Sequence, residues 1–463
     1  MADALSLRSA GLPAALRELC QKLRAAGHRG WLVGGCVRDS LRAQLCGPSE
    51  PGSWHAKDWD LATDATPQQV MRVFRRVIPT GVEHGTVTVL LQGMQVEVTT
   101  LRTETGYADG RRPDQVDFVS SIEEDLARRD FTVNAIAFEP HSEALIDPFA
   151  GLTDLRQRTL RAVGDPALRF AEDGLRVLRA ARFIATLEFQ LDPGTASAIR
   201  PSLDSYRQVS AERIRDEWNK ALRAREPSRA FSVMQAHGLL EITAPELAAL
   251  ATRNAGAEDS LTRAQRRADR CAPQVELRLG ALLRELDADP ARAAQLADEL
   301  LTRLRYSNAE RKAVGRMLRF RELPIEPAPG DAELRRWLRD VGPDIYPDLC
   351  ALGRADLLAR EASSASGELD ARLALLERFE RRASAELERK SPLALSDLAL
   401  DGKKLMAQLG LRPGPHLGKL LAALLDQVIE QPELNTPERL LEAARRLQPA
   451  DTAEPADGRA PRS

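Results

Sequence analysis

Two aspartates separated by a single residue are the first candidates for chemistry in this chain. Asp58 and Asp60 lie in the segment KDWDLAT (57–63). On a β-strand, residues i and i+2 face the same side, so both carboxylates would converge while Trp59 points the other way. Two convergent carboxylates can hold a divalent cation. A strand edge with two solvated acids is the alternative interpretation.

A third acid lies in a predicted hairpin. Apolar residues alternate on both sides of Gln92-Gly93, which is typical of two strands joined by a tight turn. Glu97 falls on the strand face opposite Val96 and Val98. It is a candidate third oxygen ligand, and a solvated strand residue is the alternative.

A glycine turn precedes the aspartates. In LVGGCVRD (32–39), a strand-like apolar run ends at Gly34-Gly35 and a helical pattern follows. Glycine lets the backbone approach a ligand, and the first N–H groups of a helix favour phosphate. Arg38 would add a charged clamp. The glycines alone are weak evidence, but together with the nearby acids they predict a phosphate-binding site.

Two arginine-rich segments follow. In EDLARRDF (124–131), the arginines either form surface ion pairs with the neighbouring acids or bring Arg129 to a triphosphate. In RFAEDGLRVLRAARF (169–183), apolar residues recur at helical spacing and the arginines line the other side. Asp173 and Arg176 are one turn apart there. They form either a helix ion pair or an acceptor and a planar donor that address the edge of a base.

Composition limits what the whole chain can be. Its 463 residues suffice for about three domains. A net charge of -2 gives no global signal for nucleic acid or membrane, and no apolar stretch is long enough to cross a bilayer. The five cysteines contain no C-x-x-C pair, and the N-terminus lacks a signal-peptide pattern. We therefore expect a cytoplasmic protein without disulfides or a zinc knuckle.

The elements that must position these residues change along the chain. Strand patterns are confined to about 28–150, and from about Pro166 the apolar spacing is helical throughout. The sequence therefore predicts an α+β fold, with a mixed head followed by helices. The polar segment 451–463 reads as a disordered tail.

Six motifs occur in the order and approximate spacing of a known family. They are LVGGCVRD (32–39), KDWDLAT (57–63), RRDFTVNA (128–135), DPFAGLTDL (147–155), RFAEDGLRVLRAARF (169–183) and SAERIRDEW (210–218). In this respect the chain resembles class II tRNA nucleotidyltransferases and bacterial poly(A) polymerases. The segment 392–421, with Asn435-Thr436-Pro437, is similar to the tRNA-contacting tail of CCA-adding members.

The resemblance implies a polymerase β-like nucleotidyltransferase head domain followed by an all-helical neck, body and tail. The expected domains are an N-terminal helix at 1–27, the head at 28–155, a neck that binds base and RNA at 156–240, a body at 241–390, a tRNA-binding tail at 391–450 and the disordered tail.

The same resemblance implies a set of site residues. Asp58 and Asp60 would hold Mg²⁺, and Glu97 would join them as a catalytic acid. The nucleotide, ATP or CTP, would contact Gly35, Arg38, Arg129, Asp173, Arg176, Arg179 and Arg182.

The resemblance implies CCA addition to the tRNA 3′ end from CTP and ATP, without a nucleic-acid template. The segment HGTV (84–87) favours CCA- or A-adding enzymes over poly(A) polymerases, and the full-length loop at 102–114 argues against CC-only addition. Addition of the final A alone stays open, then poly(A) synthesis, and a catalytically silent RNA-binding protein is the non-enzyme alternative.

The body departs from some longer relatives. Those relatives carry an HD phosphohydrolase domain, whereas Arg284-Glu285 stands here where a His-Asp pair would be. We expect a degenerate helical domain that has no hydrolase activity.

Overall fold

The computed structural model describes residues 5–46, 53–56, 58–105, 115–253, 258–360 and 366–447. Part of the predicted loop, 106–114, and the predicted disordered tail, 451–463, lie outside these residues. The chain divides into two compact units. The first contains the chain up to Arg253 together with Pro273–Val275 and Glu299–Ser307, and the second contains the remainder. The finer division into head, neck, body and tail stays a prediction.

The first part of the chain alternates helices and strands. In chain order the elements are α1 (Ala14–Ala25), β1 (Gly30–Val33), α2 (Gly35–Cys46), β2 (Asp60–Thr63), α3 (Pro67–Val73), β3 (Val77–Gly81), β4 (Thr86–Leu91), β5 (Met94–Thr100), β6 (Arg102–Thr105), β7 (Gln115–Phe118), α4 (Ile122–Ala127), β8 (Ala137–Glu139), β9 (Ala144–Ile146), α5 (Gly151–Gln157) and β10 (Thr159–Leu160).

A mixed sheet forms the centre of the head. Its order within the described residues is β3-β4-β5-β2-β1-β8-β9, with β2 and β5 parallel and the other neighbours antiparallel. The predicted hairpin is confirmed as β4 and β5. Its two turn residues, Gln92 and Gly93, have φ angles of 48° and 80°, which is the backbone of a type I′ turn.

The parallel pairing brings two of the predicted acids side by side. Asp60 lies opposite Glu97 in the register of β2 and β5. Glu97 faces solvent while Val96 and Val98 are fully buried, as the alternation predicts. The expectation that both aspartates lie on a strand is wrong for Asp58. Pairing begins where the Glu97 N–H donates to the carbonyl of Trp59, so Asp58 precedes the strand in an exposed bend.

Helices dominate the rest of the chain, as predicted. They are α6 (Pro166–Glu172), α7 (Leu175–Leu187), α8 (Pro193–Ile199), α9 (Leu203–Arg207), α10 (Ala211–Leu222), α11 (Ser228–Ala236), α12 (Leu239–Thr243), α13 (Pro245–Ala248), α14 (Ser260–Arg270), α15 (Val275–Leu283), α16 (Pro290–Arg303), α17 (Asn308–Arg319), α18 (Asp331–Val341), α19 (Tyr346–Ala359), α20 (Ser366–Glu388), α21 (Gly402–Leu409), α22 (Pro415–Glu430) and α23 (Pro437–Leu447). A two-residue strand, Gln190–Leu191, was not expected, and it follows from parallel pairing with β10.

The sequence pattern suggests one continuous helix over α6 and α7, but the helix is interrupted between them. Asp173 has extended backbone angles, and Gly174 is the N-cap of α7. A Cβ at Gly174 would lie 2.2 Å from the carbonyl oxygen of Ser205, so this close approach requires glycine. Asp173 and Arg176 are therefore not neighbours on one helix face.

Leucine-rich helices form a small core near the C-terminal end of the second unit. Leu405, Leu424 and Leu440 are buried in one cluster there. The side chain of Asn435 accepts from the N–H of Ala399 and donates to the carbonyl of Asp397, which ties the segment before α21 to the one before α23.

Arg284 and Glu285 belong to a buried ionic network in the second unit. The central member is Arg267, whose side chain is fully buried and donates to Asp356 at 2.6 Å, to the carbonyl of Ala281 at 2.9 Å and to Glu285. Arg284 lies 3.8 Å from the same Asp356 carboxylate. Within the described residues no cluster of three His, Cys, Asp or Glu side chains could hold a metal ion.

We predict that Arg267→Ala destabilises the second unit by about 3 kcal/mol, because it removes the fully buried guanidinium that Asp356 and Glu285 share and leaves them only their more exposed arginine partners. Urea unfolding measures the effect. Arg372→Ala is the matched control, since it removes an exposed helix pair with Glu368 and should change stability little. Equal small effects of the two substitutions would contradict the assigned role of the network.

Candidate active site

The glycine turn lies against an aspartate and an arginine. Gly34 has a φ of 71°, and α2 begins at the next residue. A Cβ at Gly34 would be 2.9 Å from Nη1 of Arg129 and 3.7 Å from Oδ2 of Asp60. Three motifs that are distant in the sequence therefore meet at one point.

Acids of like charge are concentrated beside this turn. Burial and the neighbouring charge of Asp58 raise the pKa of Asp60, while Arg129 and Arg38 act in the opposite direction. Partial desolvation and the charge of Asp60 likewise raise the pKa of Glu97. A cation bound between these acids would relieve their repulsion.

Arg129 is held by a buried carboxylate. Its Nη2 lies 3.2 Å from Asp125, whose side chain also pairs with Arg128 at 2.7 Å and is 1% exposed. Burial alone would raise the pKa of Asp125, but the two arginines hold it below its ordinary value. The interpretation of these arginines as members of surface ion pairs is therefore wrong.

Arg38 is oriented from two sides. It donates to both carboxylate oxygens of Asp39, at 2.8 and 2.9 Å, and to the amide oxygen of Asn134 at 2.5 Å. The Asn134 amide in turn donates to Asp130 at 2.9 Å. A guanidinium fixed in this way is pre-organised for an anionic ligand.

Two arginines of α7, Arg179 and Arg182, lie over the ring of Phe183. Arg182 lies over Phe183 at 3.4 Å from the ring centroid and donates to Glu217 at 2.7 Å. Arg179 donates to Asp130 at 2.8 Å. Burial lowers the pKa of Arg182 to about 10 although Glu217 opposes the shift. Both arginines therefore stay charged near neutral pH.

These groups line one cavity of about 770 Å³. That volume is within the range of small-molecule sites. The lining residues are Gly34, Gly35, Cys36, Arg38, Asp39, Arg42, Ala43, His55, Ala56, Asp58, Asp60, Arg129, Asp130, Asn134, Arg179, Arg182, Phe183 and Lys220. Burial raises the pKa of the Cys36 thiol to about 12, so it stays protonated and is a poor nucleophile.

Seven of the predicted site residues line this cavity, and three do not. Asp173 receives two hydrogen bonds from Arg213, at 3.1 and 2.7 Å. Arg176 pairs instead with Glu172 at 2.5 Å, so the helix ion pair that we weighed between Asp173 and Arg176 is wrong. Glu97 is the third. It lies opposite Asp60 in the sheet, and Asp60 does line the cavity.

Sequence reasoning missed several lining residues. Asp130 and Asn134 lie within the motif RRDFTVNA (128–135). Their alternation with buried apolar residues there could have indicated that they are site residues. Lys220 follows Glu217 by three residues on α10 and pairs with it at 2.9 Å. No pattern in the sequence pointed to Arg42 or His55.

Comparisons with known proteins identify the family of the chain. Residues 30–161 match the Poly A polymerase head domain, residues 188–250 a polymerase A RNA- and SrmB-binding site, and residues 376–444 a tRNA nucleotidyltransferase domain 2. A CCA-adding enzyme of Lactobacillus helveticus is 34% identical over 424 residues, which cover 91% of this chain and 94% of the relative. The chain belongs to the CCA-adding enzyme family.

Solved structures of CCA-adding enzymes share the fold. The Bacillus stearothermophilus CCA-adding enzyme in complex with CTP has a TM-score of 0.70 at 28% identity, covering 94% of this chain and 98% of that one. The Thermotoga maritima CCA-adding enzyme complexed with tRNA has a TM-score of 0.59 at 16% identity and covers 95% and 97% of the two chains, which shows the fold. As a member of this family the chain is a nucleotidyltransferase, a class that depends on a divalent metal ion.

We predict that Gly34→Ala lowers nucleotide incorporation about a hundredfold, because the added Cβ displaces the Arg129 guanidinium. The positive φ costs an additional 1–2 kcal/mol or so of stability. Steady-state incorporation and urea unfolding measure the two effects.

Gly93→Ala is the matched control. Gly93 has a φ of 80°, but a Cβ there would meet no atom within 4 Å. It should share the stability loss and keep normal incorporation. A Gly34→Ala enzyme with normal incorporation would contradict the assigned position of the turn.

Proposed function

We propose that this chain adds and repairs the 3′-terminal CCA of tRNA from CTP and ATP, without a nucleic-acid template. The supporting observation is that Asp58 and Asp60 line a cavity that several arginines also line, in a chain of the CCA-adding enzyme family. The names of the relatives favour CCA addition over poly(A) synthesis. Complete CCA addition, rather than the final A alone, is part of the proposal.

The donor set fits Mg²⁺. This ion is bound in nucleotide enzymes by one or two carboxylates together with water and substrate phosphates. Asp58 and Asp60 would supply two carboxylates, and burial, together with the neighbouring charge of Asp58, raises the pKa of Asp60. We propose that these two aspartates hold Mg²⁺ and that Glu97, which lies opposite Asp60 in the sheet, adds a third acidic group to the site.

The reaction needs no side-chain nucleophile. The tRNA 3′-hydroxyl would attack the α-phosphate, lose its proton to solvent and release pyrophosphate. Mg²⁺ held by Asp58 and Asp60 would lower the pKa of that hydroxyl and offset the charge of the leaving group. The chain itself supplies phosphate contacts, which we assign to the Gly35 N–H, Arg38, Arg129, Arg179 and Arg182. Each of these arginines is already oriented by a carboxylate, so little rearrangement is required when the nucleotide binds.

Base selection is assigned to Asp173 and Arg176. Arg213 fixes the Asp173 carboxylate, and Glu172 with the carbonyl oxygens of Arg128 and Arg169 fixes the guanidinium of Arg176. Two rigid groups with opposite hydrogen-bonding character can discriminate bases. We propose that their separate anchors, and not a mutual ion pair, set their orientation.

The partners follow from the reaction. We propose that the helical regions bind tRNA and that the enzyme acts in the cytoplasm. None of the helices in the described parts of the chain combines the length and apolarity that a membrane crossing needs.

Labelled CTP and ATP, supplied separately to tRNA lacking the whole CCA end, tRNA ending in CC and complete tRNA, test the activity. We expect CTP incorporation on the first, ATP incorporation on the second and none on the third. ATP incorporation on the second without CTP incorporation on the first would favour A-only addition. Long A tracts on any of them would favour poly(A) synthesis.

We predict that Asp58→Asn and Asp60→Asn each lower incorporation by about a hundredfold or more, because the charge that develops in the reaction loses its stabilisation. Affinity for tRNA, measured by filter binding, should be nearly unchanged. Asp204→Asn, an exposed aspartate of α9, is the matched control. Incorporation at the wild-type rate in both site variants would contradict the metal assignment.

We predict that Arg176→Ala relaxes discrimination among CTP, ATP, UTP and GTP by about 1–3 kcal/mol, since one base-edge contact is lost. Competition assays on tRNA lacking CCA and on tRNA ending in CC measure it, with the exposed Arg207→Ala as control. Unaltered selectivity with normal turnover would refute the role in base choice.

A further inference from the structure

The cations that line the cavity are not equivalent. Five of them have carboxylate partners: Arg38 with Asp39, Arg129 with Asp125, Arg179 with Asp130, and Arg182 and Lys220 with Glu217. Their charges are largely balanced by the protein. Arg42 is the sixth cation in the lining, and it forms no ion pair with any residue that the structure describes.

Arg42 also carries a buried donor that is not used. Its Nε is shielded from solvent and has no hydrogen-bond partner within the described structure. Among the lining residues, Arg129 alone shares this property, again at its Nε. A buried guanidinium N–H without an acceptor costs free energy, so both groups favour an incoming anion.

The position of Arg42 indicates which anion. It follows Arg38 by four residues on α2, so the two side chains lie on the same face of the helix. That helix begins at Gly35, and its first N–H groups and Arg38 are the phosphate contacts of the proposed function. A planar guanidinium can donate two parallel hydrogen bonds to the oxygens of a phosphate.

We propose that Arg42 binds the terminal phosphate oxygens of the incoming nucleotide and, after transfer, of the leaving pyrophosphate. This inference rests on the proposed function. Phosphates of the RNA backbone have the same chemistry, but the shared helix with Arg38 favours the nucleotide. Arg42 would then supply positive charge that the paired arginines do not, where the leaving group becomes more anionic.

The test compares Arg42→Met, which keeps an unbranched side chain, with Arg42→Lys, which keeps the charge. For Arg42→Met we expect KM for CTP and for ATP and the inhibition constant of inorganic pyrophosphate to rise about tenfold. Inhibition by CMP, which lacks the terminal phosphates, and KM for tRNA should stay within twofold or so of wild type. Arg42→Lys should recover part of the affinity for pyrophosphate.

Arg72→Met, at an exposed arginine of α3 outside the cavity, is the matched control. Thermal melts establish that each variant is folded. Calorimetric binding of inorganic pyrophosphate with Mg²⁺ measures the site without tRNA or turnover, so the result does not depend on which end is synthesised. A wild-type protein that binds pyrophosphate but incorporates no nucleotide would overturn the proposed function and leave this assignment standing.

Two results would overturn the inference. One is unchanged affinity of folded Arg42→Met for pyrophosphate, CTP and ATP. The other is a raised KM for tRNA alone, which would assign Arg42 to an RNA phosphate. If Arg42→Met does not fold, unchanged pyrophosphate affinity in Arg42→Lys counts against the proposal, and a weakened affinity supports it.

Discussion

Asp60 is the first residue of the largely buried strand β2, and several residues of the head determine whether its carboxylate is ionised. Burial and the neighbouring Asp58 favour the protonated form, while Arg129 and Arg38 favour the ionised one. These arginines are themselves restrained by Asp125, Asp39 and Asn134. The result is a balanced set of opposite charges in which a metal-bound nucleotide can replace repulsion between acids with attraction.

Much of this could be predicted from the sequence because it depends on local patterns. Alternation fixed the hairpin with Gln92-Gly93 and the exposed face of Glu97, and the glycine pair predicted the turn before α2. The motif resemblance, more than any single spacing, predicted which residues meet. Seven of the ten predicted site residues do line one cavity.

The remaining features depend on contacts between distant segments. The break at Asp173-Gly174 results from the close approach of Ser205, and the anchoring of Asp173 comes from Arg213, forty residues later. Neither has a local signature. The second unit also contains a contact without a local signature, because Arg267 forms ion pairs with both Glu285 and Asp356. The sequence indicated that Arg284-Glu285 replaces a metal-binding pair, but not that a buried guanidinium is the local centre of charge.

Diffraction from crystals soaked with CTP and Mn²⁺, recorded near the manganese absorption edge, tests the central claim most directly. The account predicts an anomalous peak between the carboxylates of Asp58 and Asp60, with the triphosphate extending toward Arg38 and Arg42. CTP bound in this cavity with manganese elsewhere, or CTP bound outside the cavity, would contradict it.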